Sequence, residues 1–191
     1  MKKRKKWYDY MWIISSLYLI LGLFNILFAW LGLICFALPL IISITKSNKS
    51  YCNKYCGRGQ LFNRLGSKYK LSLNRPLPKL FKTKYFRYGF LIFFLSIFFN
   101  MLFNTYLVFS NVQSLKEVIT LLWTFKIPWK ISNLTYVTPW ISQFAFGFYS
   151  MMVTSTLIGL IFMILFKPRA WCVFCPMGTM TQGICIIKNK S

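Results

Sequence analysis

No histidine occurs among the 191 residues, and only two carboxylates, Asp9 and Glu117, face 24 lysines and arginines. The first absence excludes zinc held by paired cysteines and histidines, and bis-histidine haem. It also removes the commonest general base from any catalytic scheme. The second leaves a net charge of +22 with almost no internal acid to pair it. A soluble domain usually carries about a quarter of its residues as charges of both signs. Here the share is 14% and the sign nearly uniform, which leaves a nucleic-acid binder or a membrane protein. Charge is missing altogether from Tyr10 to Thr45, Tyr88 to Leu115 and Ile131 to Phe166. Each run exceeds the roughly 20 residues that cross a hydrocarbon core. The chain therefore reads as an all-α, polytopic membrane protein. No nucleic-acid module accompanies its basic residues, so no nucleic-acid partner is assigned. The first run is also far longer than the apolar core of a cleaved signal peptide.

The flanking charges set the topology. Five cations precede the first run, and twelve lie between Lys46 and Arg87 without a carboxylate. Both flanks have the character of the cytoplasmic side. The first run is then a hairpin of two spans, about 10–28 and 30–45, turning near Asn25 to Gly32. Further spans fit 88–110 and 141–166, and four cations follow the last. So 21 of the 24 cations fall on one face. The expected arrangement is one membrane domain with four spans and both termini cytoplasmic, a basic loop over 46–87 and a tail over 167–191. It belongs in a cell (inner) membrane as a multi-pass protein, with the lipid bilayer as its first partner. Between spans three and four, Ser114 and Glu117 have capping-box spacing, which predicts a short amphipathic helix ending before Pro128. Trp123, Trp129 and Trp140 would anchor it at the interface, and Asn133 stands in a glycosylation triplet. Asn25, Asn100, Asn104 and Gln143 are expected to join helices by hydrogen bonds.

Five of the six cysteines fall on the basic face. Cys52 and Cys56 form a C-x3-C in "YCNKYCGRGQ"; Cys172 and Cys175 form a C-x2-C in "WCVFCPMG". Cys35, inside span two, reads as a small buried hydrophobe. Spans two and four end on the same face, so the two pairs can converge. Thiols at chelate spacing in a reducing compartment bind metal or do redox chemistry more often than they form disulfides. Four thiolates suit structural zinc or an iron–sulfur cluster. Both spacings, and a proline behind a ligating cysteine, occur in ferredoxin runs. Gly57, Gly59 and Gly178 would let backbone N–H groups approach sulfur. Lys54, Arg58, Lys167 and Arg169 would favour a reduced, more negative cluster and attract an acidic redox protein or another membrane redox partner.

These stretches resemble the membrane-integral 4Fe-4S-binding, polyferredoxin-like proteins. That class includes the membrane ferredoxin-type subunits of nitrate-reductase and nitrous-oxide maturation systems. The resemblance rests on "YCNKYCGRGQLFNRLG", "KPRAWCVFCPMGTMTQGIC" and the span pattern. It implies Cys52, Cys56, Cys172 and Cys175 as ligands of a [4Fe-4S] cluster, with Cys185 as a possible fifth, and electron transfer as the function. Two features depart from the class: Gly57 stands where many members have proline, and the soluble ferredoxin domain of larger members is absent. The alternatives are a membrane thiol–disulfide oxidoreductase and a structural four-cysteine zinc (Zn) protein or assembly factor. An electron carrier or redox subunit fits better than a stand-alone enzyme, and no catalytic residue is assigned.

Overall fold

The computed structural model describes residues 10–46, 52, 55–115, 118–121, 125–128 and 138–188. Asp9, Lys54, Glu117, Trp123, Trp129 and Asn133, all singled out above, lie outside them. The described chain is mostly helical. Helices α1 (Met11–Phe24) and α2 (Leu31–Lys46) are joined through a 3-10 turn, Ile26–Trp30. They are followed by α3 (Gly57–Asn63), a π-turn (Arg64–Lys68), α4 (Lys79–Lys82) and α5 (Lys84–Phe109). Strands β1 (Val118–Leu121) and β2 (Phe125–Pro128) come next, then α6 (Pro139–Leu165), a 3-10 turn (Ala170–Val173) and α7 (Pro176–Lys188).

Among the described residues, four segments are long and apolar enough to cross a membrane: Ile26–Thr45, Lys84–Phe109, Pro139–Leu165 and Ala170–Lys188. The fourth was expected to be a tail, because cations bracket it; between them, 170–187 is free of charge. The first apolar stretch breaks at Asn25, whose backbone turns extended while its side chain accepts from the Leu27 amide. That leaves α1 with 14 residues, about 21 Å of helix.

The chain divides into two compact units. One comprises Tyr18–Ile34 and Ile92–Leu157. In it α5 buries only a stripe at sevenfold spacing, Phe94, Met101 and Val108, and leaves Phe93, Phe99, Phe103 and Tyr106 exposed. Met101 fills the notch at Gly147 of α6, where a Cβ would lie 2.4 Å from its Cγ. Tyr149, buried, donates its hydroxyl to the Leu19 carbonyl at 2.7 Å.

The expected amphipathic helix after Glu117 is instead an antiparallel hairpin, with Val118 opposite Pro128 and Leu121 opposite Phe125. The β-branched run Val118, Ile119, Thr120 favours strand over helix, and contacts with α6 fix it there. Ile119 is buried with Ala145 and Phe146, and the Thr120 amide donates to Ser150 Oγ at 3.0 Å. The chain is thus helical but not purely α. Asn104 also departs from expectation: it donates to Asn100 on its own helix, so that pair does not join helices.

Candidate iron–sulfur site

All six cysteines lie in the other unit, Met1–Leu17, Cys35–Leu91 and Ile158–Ser191. Its core holds Phe62, Met163, Trp171 and Phe174. Phe62 comes six residues after Cys56, while Trp171 immediately precedes Cys172. Both rings rest on Gly159 of α6, where a Cβ would stand 2.6 Å from Phe62 and 3.2 Å from Trp171. Any side chain at that position would push apart the two segments that carry the cysteines. The ring of Phe174, between Cys172 and Cys175, packs on Phe162 at 4.9 Å, Trp171 at 5.1 Å, and Phe81, Phe86 and Phe90 at 5.6–5.7 Å. Phe174→Ala should therefore cost about 3–5 kcal/mol, read as a lowered thermal midpoint of the purified protein.

Local backbone needs place the intervening chain. The carbonyls at the C-terminal end of α6 lack helical partners. Leu73 N–H donates to Ile164 at 2.9 Å, and Ser72 hydroxyl to Phe166. The extended stretch after the π-turn is thereby tied to the helix that leads to Cys172. Gly66 packs on Pro168, with a Cβ position 2.9 Å from the proline Cβ.

Each cysteine pair ends at the start of a helix, and the two ends are alike. Cys56 caps α3, and its sulfur accepts from the Gly59 amide at 3.5 Å. Cys175 immediately precedes α7, with Pro176 at the first helical position, where a missing N–H costs nothing. Its sulfur accepts from the Gly178 amide. In both cases the donor lies three residues on and is a glycine. Gly57 does something else: it lets α3 approach α1, with a Cβ position 2.7 Å from the Met11 carbonyl oxygen.

The pairs meet at Gly59. A Cβ there would lie 3.5 Å from Cys172 Sγ and 3.6 Å from Cys56 Sγ. Two sulfurs from opposite ends of the sequence thus border one small space that glycine leaves open. Cys52 Sγ is 3.7 Å from the hydroxyl of Thr181, on the second turn of α7. Both Cys172 and Cys175 lie within electrostatic reach of Cys52 and Cys56. Arg169 acts on Cys172 and Arg58 on Cys175. None of the six cysteines is in a disulfide; Cys172 is exposed, and Cys52, Cys56 and Cys175 are half-buried.

The remaining cysteines stand differently. Cys185 is buried, ten residues beyond Cys175 and hence about 15 Å along the helix axis. Cys35 is exposed on α2 rather than buried as expected, within electrostatic reach of Cys56 and Arg58.

Among the described residues, no three of the Cys, Asp or Glu side chains close around a point as a single metal ion requires. Zinc draws four sulfurs to about 2.3 Å from one centre, whereas a cluster places a separate iron against each thiolate. The all-cysteine donor set, with Cys56 and Cys172 bordering the notch at Gly59, suits a cluster. Residues 28–75 and 149–190, a little under half of the chain, match the family model of a 4Fe-4S binding domain. That match supports an iron–sulfur, ferredoxin-like protein. Each matched stretch runs from an apolar helix (α2, or the part of α6 from Tyr149) through a cysteine pair to a helix that begins just after its second cysteine, so the similarity of the two ends extends beyond the sulfurs. The match gives no support to zinc. No curated protein and no solved structure matches the chain.

Proposed function

We propose that this chain is a membrane-anchored electron-transfer protein that holds one [4Fe-4S] cluster through Cys52, Cys56, Cys172 and Cys175 at the cytoplasmic face. The observation that carries the reading is the meeting of Cys56 and Cys172 at Gly59, within a chain whose matched family binds such clusters. Bound there, the cluster supplies reversible one-electron chemistry. The protein supplies the rest. Four thiolates hold the iron, and the Gly59 and Gly178 amides donate to two of them. Such donors, with Arg58 and Arg169 nearby, offset negative charge and favour the reduced state. The exposed edge at Cys172 gives a partner access, and the surrounding cations suit an acidic redox protein. Large apolar residues exposed along α5, beyond what a soluble surface tolerates, support a bilayer around the long helices. The excess of Lys and Arg between Lys46 and Arg87 supports the cytoplasmic assignment of the cysteine end.

Anaerobically purified protein should contain four iron and four acid-labile sulfide per chain and give a [4Fe-4S] EPR signal on reduction. One zinc per chain without sulfide would overturn the cluster. Labelling of a Lys82→Cys variant, at an exposed position of the basic loop, by an impermeant thiol reagent should require permeabilised cells. Labelling from outside would overturn the topology and leave the cluster standing.

A further inference from the structure

A second feature of the cysteine-bearing unit has no part in holding iron. The N-terminal turns of α5 and one face of α7 enclose a cavity of about 280 Å³, lined by Lys84, Arg87, Tyr88, Thr179, Gln182 and Ile186. Lys84, Arg87 and Tyr88 share one helical face, as do Thr179, Gln182 and Ile186. Gln182 Oε1 accepts from Arg87 Nη2 at 2.5 Å and fixes the guanidinium. Arg87 Nε is buried and has no hydrogen-bond partner, a costly state for a donor on a charged group. Among the described residues no carboxylate completes the site: Asp9 and Glu117 both lie outside them. Two cations, Lys84 and Arg87, therefore line the cavity beside Tyr88 and Ile186.

We propose that this cavity binds a phosphate-bearing anion. A guanidinium and an ammonium side by side match the several oxygens of a phosphate better than a single carboxylate. Two sources share this chemistry. One is inorganic phosphate. The other is an anionic phospholipid, because the cavity sits at the charged end of a 26-residue apolar helix, and basic pockets at such ends take up lipid headgroups. The lipid source rests on the membrane reading above. The test has no iron readout, so its failure and that of the cluster can be told apart.

The test is the thermal midpoint of the full chain in neutral detergent, titrated with inorganic phosphate, phosphatidylglycerol or phosphatidylcholine. Wild type, Lys84→Gln, Arg87→Gln and the control Lys79→Gln/Lys82→Gln are compared. A saturable rise is expected with a phosphate-bearing anion. Its midpoint concentration should increase about tenfold or more in Lys84→Gln and Arg87→Gln and hold in the control. Phosphatidylglycerol acting where inorganic phosphate does not identifies a lipid; the reverse identifies the water-borne ion. No saturable response to either, or equal loss in the control, overturns the site. Should Arg87→Gln fail to fold, Lys84→Gln, at an exposed position, decides alone.

Discussion

Serine at position 56 or 172 should abolish the cluster, with iron and sulfide falling from four per chain to near zero, while serine at 35 or 185 should leave both unchanged. Cys56 and Cys172 border the same cradle from different segments, so losing either removes the link between them as well as a ligand. Serine is nearly isosteric, but its alcohol does not ionise near neutral pH and binds iron poorly by comparison with thiolate. Cys52→Ser and Cys175→Ser should have the same effect, since both thiols join the electrostatic group. Cys185 provides the discriminating arm: by sequence it belongs to the same tail, yet the helix carries it about 15 Å from Cys175. Cys35 provides another, because it neighbours Cys56 without lying at a helix start. Iron and sulfide assays on the six single variants decide the ligand set. Retention of a full cluster in Cys172→Ser, or its loss in Cys185→Ser, would refute the assignment.

The spacing that makes these cysteines candidate ligands was legible in the sequence, for a local reason. Spacing within each pair, and the glycine three residues after Cys56 and Cys175, are short-range features that backbone geometry converts directly into thiol placement. The absence of histidine narrowed the metal chemistry in the same direct way. What joins the two pairs was not legible. Phe62, Trp171, Phe174 and Gly159 read as ordinary residues of apolar stretches, and only packing shows two rings closing on one glycine. The hairpin after Glu117 was misread because capping-box spacing is a local preference, whereas Ile119 and Thr120 are fixed by α6. Cys185 was a possible fifth ligand by its place in the 167–191 tail, and only the helix α7 shows it ten residues along the axis from Cys175. The cavity at Arg87 needed two helices to face one another, which no single segment reveals.

Leucine at Gly59 should separate folding from cluster binding: the chain stays folded and its iron content falls to near zero. Glycine within a helix costs about 0.5–1 kcal/mol relative to alanine through lost backbone entropy. Its presence in the short helix α3 is thus unfavourable for the helix itself. A Cβ would meet the sulfurs of Cys172 and Cys56 at 3.5 and 3.6 Å, which is ordinary van der Waals contact, so the chain without its cluster tolerates alanine. Gly59→Ala should accordingly match or exceed wild type in thermal midpoint when both are measured without iron. Leucine extends from the same Cβ into the space bordered by both sulfurs, where the cluster would have to sit. The amide that donates to Cys56 is retained in both variants, so a lost hydrogen bond cannot explain a difference between them. Iron content should fall in the order glycine, alanine, leucine, while helical circular dichroism stays constant. If Gly59→Leu bound a full cluster, the space between the two pairs could not be where the iron sits, and the two pairs would have to act separately.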